Sequence, residues 1–382
     1  MAKEEKTRSK AEMQKFEGAT TAVITPMHED GSIDRDGLNK LTEFNIKSGI
    51  HNIVACGTTG QSPTLTHLEW HGIVSNSKYY SRKAEQETGR KVHVIAGAGT
   101  NNFEKSKELT QLAESLGADA TLHVTGYYNM PLQLGMRDYF SFCVAASELP
   151  LIMYDVPARG HPTIKPETRI AAALLNPGKI IGVKDATGGE YIKNGEKHNM
   201  WAETVRLARE NNLDKHKFKL ISGDDPKTYE IMSQYDGVGV ISVTSNIFPQ
   251  AVSRMVELLL EGKNAEAKSI DDALAPFNSV LKVKGISYNL TAELNMELMA
   301  EDDSFANPAP VQYAAYVLGM IGSDRLRNPL IPLSDKRIPS EARMQVLNAL
   351  EQMYHSNPEL FKPIEEFYGK DVGARLKLMH EI

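Results

Sequence analysis

Lys184 closes an uncharged run, Ile180-Ile181-Gly182-Val183, and is followed by Asp185-Ala186-Thr187-Gly188. An apolar run that then turns on Thr and Gly reads as a strand buried on both faces, with Lys184 at its carboxyl end and half inside a core. Taken alone, such a lysine is most simply a solvated residue that begins a loop. The sharper reading is an amine whose pKa is lowered from about 10.4 by desolvation, able to attack a carbonyl and form a Schiff base. The elements around it decide between the two.

Those elements alternate along the chain. Residues 19–25 (ATTAVIT) form a β-branched first strand closed by Pro26, and Asp34 caps a helix that runs to about Ser48 before Gly49. Further strands fall at 52–57, 92–99, 119–125, 151–157, the Lys184 run, 219–223 and 238–244, each followed by a helical pattern. Eight such runs in one unbroken series predict an α/β fold with a parallel sheet, and favour a closed (β/α)8 TIM barrel over an open doubly wound sheet. The expected organisation is a charged N-terminal tail over 1–17, the barrel over 18–262 and a C-terminal helical extension over 263–382. Helices in the extension are expected at 265–282, 310–321, 340–354 and 360–378, packed on the barrel. The stretch 285–306 shows no clear pattern. Gly97-Ala98-Gly99 lacks the third glycine of a dinucleotide-binding turn.

Composition narrows the partners. With 382 residues, 41% hydrophobic and 24% charged, the chain has the make-up of an ordinary soluble globular protein. A formal charge of -6 leaves no basic excess to displace phosphate counterions, so nucleic acid is not expected. No apolar run approaches the ~18 to 20 residues that span a membrane. Cys56 and Cys143 are too few and too far apart for a disulfide framework or a zinc site, and are expected as buried free thiols. The tail mixes acidic and basic residues without an apolar segment, so it is neither a secretory signal nor a transit peptide. A small-molecule ligand and a cytoplasmic location follow as expectations.

In such barrels chemistry lies at the carboxyl ends of the strands. Here those ends carry Thr58 and Thr59, Gly97 and Gly99, Tyr127 and Tyr128, Tyr154 and Arg159, Lys184, Ser222 to Asp225, then Ser242 and Thr244. No HxH or HExxH pattern is present, and Asp224-Asp225 reads as a helix cap rather than a metal site. A neutral lysine forms an imine with a 2-oxo acid, and the protonated imine is an electron sink that lets C3 lose a proton and become a nucleophilic enamine. A Tyr hydroxyl near the imine suits proton transfer. Backbone N–H groups of the Gly57-Thr58-Thr59-Gly60 turn can hold the carboxylate, and Arg159 offers a bidentate fork for a second one. Singly, Tyr154 reads as core, Arg159 as a surface ion-pair partner and Thr58 as a turn former; their convergence on one rim favours function.

The chain resembles the dihydrodipicolinate synthase / N-acetylneuraminate lyase superfamily of class I pyruvate aldolases. The resemblance rests on Thr25-Pro26-Met27, Gly57-Thr58-Thr59-Gly60-Gln61-Ser62-Pro63-Thr64-Leu65, Ala96-Gly97, Tyr127-Tyr128-Asn129, Tyr154-Asp155-Val156-Pro157-Ala158-Arg159, the Gly182 to Gly188 run, and Ser222-Gly223-Asp224-Asp225. It implies that Lys184 is the Schiff-base lysine, Tyr154 the hydroxyl beside the imine, and Thr58 the link from Tyr154 to a Tyr128 supplied by a neighbouring subunit. Thr59, Gly223 and Ile241 would contact pyruvate. Arg159, which the sialic acid lyases lack, would hold the carboxylate of aspartate semialdehyde. The implied activity is the condensation of pyruvate with aspartate semialdehyde to 4-hydroxy-tetrahydrodipicolinate, in diaminopimelate and lysine biosynthesis, without a cofactor and in a homodimer or homotetramer.

Several positions depart from the family pattern. Gln61 stands for a usual Glu, Asp155 for Asn and Gly126 for Pro, and Gly160-His161 follows Arg159 in place of Thr-Gly. An acidic Asp155 near the rim is expected to alter the aldehyde accepted, so the Asp155 to His161 stretch would decide the second substrate. The family's lysine-effector site is matched by Ser62, His67, Asn101 and Tyr127, but Lys105 replaces its glutamate and would repel the effector's ammonium groups. The 190–217 insertion and the helices beyond about 340 exceed the family core. Two alternatives stay open: an aldolase or lyase of the same imine chemistry acting on a sugar acid or aromatic aldehyde, and a non-catalytic barrel paralogue.

Overall fold

Short β-branched strands buried on both faces need a neighbour on each edge, and here they find it by closing on themselves. The computed structural model describes residues 15–291 and 296–381, so residues 1–14 of the expected tail lie outside the described residues. The strands are, in chain order, β1 (Gly18–Ala22), β2 (Asn52–Ala55), β3 (His93–Gly97), β4 (Ala120–Val124), β5 (Leu151–Asp155) and β6 (Ile180–Asp185), then β7 (Glu190–Lys193), β8 (Glu196–Asn199), β9 (Lys219–Ser222), β10 (Gly239–Ser242), β11 (Lys282–Thr291) and β12 (Met296–Ala306). The closed barrel runs β1-β2-β3-β4-β5-β6-β9-β10 and back to β1. Neighbouring barrel strands are parallel throughout. The (β/α)8 TIM barrel expected from the alternation is therefore the fold.

The barrel interior is an apolar plug. Val54, Ile95, Leu122, Ile152, Ile221 and Ile241 form one buried cluster with Tyr154. Phe16 belongs to the same cluster, and its ring lies 5.2 Å from that of His93. Glu17, 2% exposed, pairs with His216 at 2.8 Å. The last two residues assigned to the tail are therefore built into the fold, Phe16 by burial of its ring and Glu17 by its ion pair.

Local rules place the flanking helices. Asp34 accepts the Gly37 N–H at 2.8 Å and opens the helix Arg35–Lys47. A capping box between Thr66 and Glu69 opens the helix His67–Thr88. Glu69 also receives both terminal nitrogens of Arg327, at 2.7 and 2.5 Å, which ties the C-terminal segment to the barrel's outer ring. Within the 190–217 insertion, β7 and β8 form an antiparallel hairpin, followed by the helix Met200–Glu210.

The C-terminal helices share the barrel's core. Phe248 meets Phe277 at 5.6 Å and Phe361 at 5.1 Å, both edge-on, in a cluster that also holds Phe44, Leu347 and Leu350. The expected last helix is two, Lys362–Tyr368 and Val372–Glu381, because Gly369 takes φ +63° and ends the first. Of the stretch 285–306, the described residues 285–291 and 296–306 belong to the antiparallel pair β11 and β12. Its second strand carries Glu297, Glu301, Asp302 and Asp303, residue types disfavoured in strands, which hid it from the sequence.

Phe361→Ala is expected to lower the stability of the whole protein by about 3–5 kcal/mol in a single cooperative transition. Calorimetry checks this; a separate low-temperature transition, with the main one unmoved, would mean that the extension folds apart from the barrel.

Candidate active site

Alternation along two adjacent strands sets the site. In β5 and β6, Tyr154 and Lys184 are register partners, as are Asp155 and Asp185 one residue on. Successive side chains point to opposite faces, so one pair enters the barrel and the next leaves it. Lys184 is 5% exposed and Tyr154 8%, and the Lys184 Nζ lies 4.1 Å from the centroid of the Tyr154 ring. Across β6, Lys184 also pairs with Ile221 of β9. Ile241 stands in the same interior cluster as Tyr154 and Ile221.

Three further strand ends, those of β2, β4 and β9, lie on the same side of the barrel, and the loop after β5 adds Arg159. Thr59, 2% exposed, accepts a hydrogen bond at 2.9 Å from the Asn307 side-chain nitrogen. Thr58 is half-buried in the same turn, which is closed by the Gly60 N–H on Gly57 O and the Gln61 N–H on Thr58 O. Arg159 is exposed and donates to the Asn307 carbonyl at 2.6 Å, so one asparagine touches both the threonine turn and the arginine. Gly223 donates its N–H to Asp185 O at 2.7 Å; a Cβ there would lie 2.8 Å from that oxygen, which makes this close crossing a glycine position. Tyr128 takes φ +69° and is 86% exposed, directed away from this chain's own core.

The two aspartates after Gly223 do not cap the following helix as expected. Asp225 accepts from the Ser242 hydroxyl, the Val243 N–H at 2.8 Å and the Thr244 N–H at 3.2 Å, and so closes the end of β10. Among the described residues the Asp224 carboxylate makes no such bond. Burial raises its carboxyl to about 6, and Lys184 is the charge that most opposes the rise. Gln61 is buried, and its Oε1 accepts the Arg327 N–H at 3.1 Å.

Asp155 corrects the sequence reading. It is fully buried on the outer face of the sheet, where its Oδ2 lies 2.6 Å from Arg169 and accepts the Ile164 N–H at 3.1 Å. The same Arg169 nitrogen lies 2.7 Å from Asp185. His161 is buried too, its Nε2 accepting the Val156 N–H at 3.1 Å. Of the 155–161 stretch, Arg159 is the side chain presented at the mouth; Asp155 and His161 hold the loop from behind. Burial pushes the Asp155 carboxyl up to about 7, opposed by Arg169 and reinforced by Asp185. Sequence reasoning missed Asn307 and Arg169. Asn307 was visible as the start of Asn-Pro-Ala-Pro, while Arg169, inside the helix Pro166–Leu175 beside Ile170, Ala172 and Ala173, was a cation on an apolar face without a stated partner.

A closed parallel barrel with an amine and a phenol facing each other at its carboxyl end is a (β/α)8-barrel protein with its polar site where that fold carries chemistry. The chain belongs to the dihydrodipicolinate synthetase family, whose model matches residues 15–303. It is 36% identical over 321 residues to a 4-hydroxy-tetrahydrodipicolinate synthase of Sulfurihydrogenibium sp. (strain YO3AOP1), covering 84% of this chain and 94% of the relative. It is 37% identical, over the same shares, to the enzyme of that name from Cellvibrio japonicus. Among solved structures, the 4-hydroxy-tetrahydrodipicolinate synthase of Methylacidiphilum fumariolicum SolV superposes with a TM-score of 0.72 at 31% identity, over 93% of this chain and 100% of that one. The dihydrodipicolinate synthase of Acinetobacter baumannii, solved with pyruvate, gives 0.70 at 31% identity over 89% and 99%.

The raised Asp155 carboxyl fixes a pH dependence. A group that holds its proton more tightly when folded contributes stability that is complete below about 4 and is lost as pH rises towards about 7. The Tm difference between wild type and Asp155→Asn should therefore fall as pH rises from about 4 to about 7. A difference that stays constant over that window would contradict it.

Proposed function

We propose that the protein is a Schiff-base-forming pyruvate aldolase of the dihydrodipicolinate synthase type, joining pyruvate to aspartate semialdehyde to give 4-hydroxy-tetrahydrodipicolinate. The observation that carries this reading is the facing of Lys184 and Tyr154 inside the barrel mouth, 4.1 Å from amine to ring centroid. Lys184, in its neutral form, attacks C2 of pyruvate, and loss of water leaves the imine. Thr59 and the backbone N–H groups of its turn hold the carboxylate. The protonated imine draws electrons from C3, which loses a proton to become the enamine. The Tyr154 hydroxyl is the group proposed to carry that proton and the one taken up by the aldehyde oxygen. Gly223 leaves room at the reacting carbon, and Ile241 keeps the pocket floor dry.

Arg159 sets the second substrate. Its guanidinium, exposed and braced by the Asn307 carbonyl, suits an aldehyde that bears a carboxylate. Asp155, the residue that argued for another aldehyde, faces away from the mouth, which supports aspartate semialdehyde over a sugar or aromatic aldehyde. A non-catalytic role would leave a buried amine at the mouth without a use. Tyr128 is too exposed to complete its own site, and Met130, Leu132 and Leu134 beside it are exposed as well. We infer that this segment meets a second copy of the chain, where Tyr128 continues the relay through Thr58. No direct Thr58 to Tyr154 hydrogen bond is present among the described residues, so that relay is closed only on assembly or by substrate.

Borohydride reduction in the presence of pyruvate should place a stable adduct on the Lys184 peptide, absent from Lys184→Met; no adduct in the wild-type protein would contradict the reading. Arg159→Ala should still trap pyruvate but raise the KM for aspartate semialdehyde by roughly tenfold to a hundredfold. Loss of the pyruvate adduct in that variant would count against its assigned role. Leu132→Asp should lower both the mass seen by sedimentation and kcat; an unchanged kcat in a monomer would argue that Tyr128 is not shared.

A further inference from the structure

We propose that Arg169 is a positioning residue for the reactive pair: by bridging Asp155 and Asp185 on the outer face of the sheet, it fixes the carboxyl ends of β5 and β6, and with them the placement of Tyr154 against Lys184. The proposal rests on the Schiff-base reading above and adds a device behind it.

The register makes the link direct. Asp155 follows Tyr154 and Asp185 follows Lys184, and the two aspartates are register partners just as the reactive residues are. Two carboxylates facing each other across adjacent strands repel, and burial removes the water that would screen them. One guanidinium nitrogen stands between them, 2.6 Å from Asp155 and 2.7 Å from Asp185, with all three side chains fully enclosed. The ladder between the strands ends at this pair, beyond which Ala186 donates to Asp155 O at 2.8 Å. The bridge thus continues the strand pairing at the level where the chemistry lies.

Arg169 is itself held from other directions. Its Nε donates to Ile164 O at 2.9 Å and its Nη1 to Thr204 Oγ1 at 3.2 Å, so the segment that leads into its own helix and the helix Met200–Glu210 both hold it in place. Asp185 is braced on its other oxygen by Trp201 Nε1 at 3.0 Å, the Thr187 N–H at 3.0 Å and the Thr187 hydroxyl at 2.8 Å. Trp201 comes from the 190–217 insertion, which gains a use: it closes the far side of the bridge. Among the described residues neither Asp155 Oδ1 nor Asp185 Oδ2 has a hydrogen-bond partner, but Asp185 keeps three hydrogen bonds on its other oxygen, and Asp155 has, besides Arg169, the Ile164 N–H alone, so Asp155 depends on Arg169 more than Asp185 does. Reactive groups displaced by about 1 Å lose on the order of a hundredfold in rate, so a clamp one residue away from both can matter as much as a group in contact with substrate.

The experiment is the rate of borohydride-trapped adduct formation at saturating pyruvate, measured well below Tm in full-length protein whose folding is checked by circular dichroism. Arg169→Met should slow trapping at least tenfold while the apparent affinity for pyruvate stays within about twofold, because the Thr59 turn is untouched. The double variant Asp155→Asn/Arg169→Met should recover most of the rate, since a neutral amide can donate to Asp185 and join the strand ends again. A wild-type rate in Arg169→Met, with only Tm reduced, would reduce Arg169 to a structural role and overturn the proposal. If Arg169→Met does not yield folded protein, Arg169→Lys decides: it keeps the charge but loses the fork to Ile164 and Thr204, and should trap at least fivefold more slowly. A wild-type rate there would equally overturn it. Absence of any adduct in the wild-type protein would instead remove the Schiff-base reading and leave the clamp without a reaction to serve.

Discussion

The structure depends on a constraint of strand geometry: side chains alternate, so a residue and its successor cannot serve the same face. In β5 and β6 this divides two adjacent dipeptides into an inner and an outer pair. The inner pair, Tyr154 and Lys184, stands at the mouth of a closed barrel. The outer pair, Asp155 and Asp185, would be intolerable in a buried layer without a cation, and Arg169 supplies it. The proposed reactive pair on one face and electrostatic order on the other are two consequences of one register.

The mouth above this layer is assembled from distant parts of the chain. Thr59 comes from the second barrel unit, Arg159 from the fifth, Gly223 from the seventh, and Asn307 from beyond the barrel altogether. Asn307 joins two of them, through its side chain to Thr59 and its carbonyl to Arg159. The C-terminal region is therefore more than packing on the helical ring. It puts an amide between the turn proposed to hold the first substrate and the arginine proposed to hold the second.

Much of this was legible in the sequence, for a physical reason. Strands of a parallel sheet are buried on both faces, so their apolar runs stand out, and each barrel strand lies where its run was read. Lys184 and Tyr154 were legible because a polar residue ending such a run must sit at the rim. Asp155 was misplaced because nearness along the chain was taken for nearness in space; alternation from Tyr154 already required the opposite face. Arg169 was hidden because its partners lie on strands 14 and 16 residues away in opposite directions, and only the folding of that strand-helix-strand unit brings the three together. The β11–β12 hairpin was hidden by its acidic second strand, and the burial of Phe16 and Glu17 by the charged stretch before them.

The central claim is that the inner pair forms a covalent imine with a 2-oxo acid held by the threonine turn. Its most direct measurement is the electron density of a crystal soaked in pyruvate. The account predicts continuous density from Lys184 Nζ to C2 of the ligand, its carboxylate on the Thr58-Thr59 turn and its methyl carbon towards the open mouth, with the Tyr154 hydroxyl beside the new bond. Pyruvate bound without a link to Lys184, or seated away from Thr59, would contradict it.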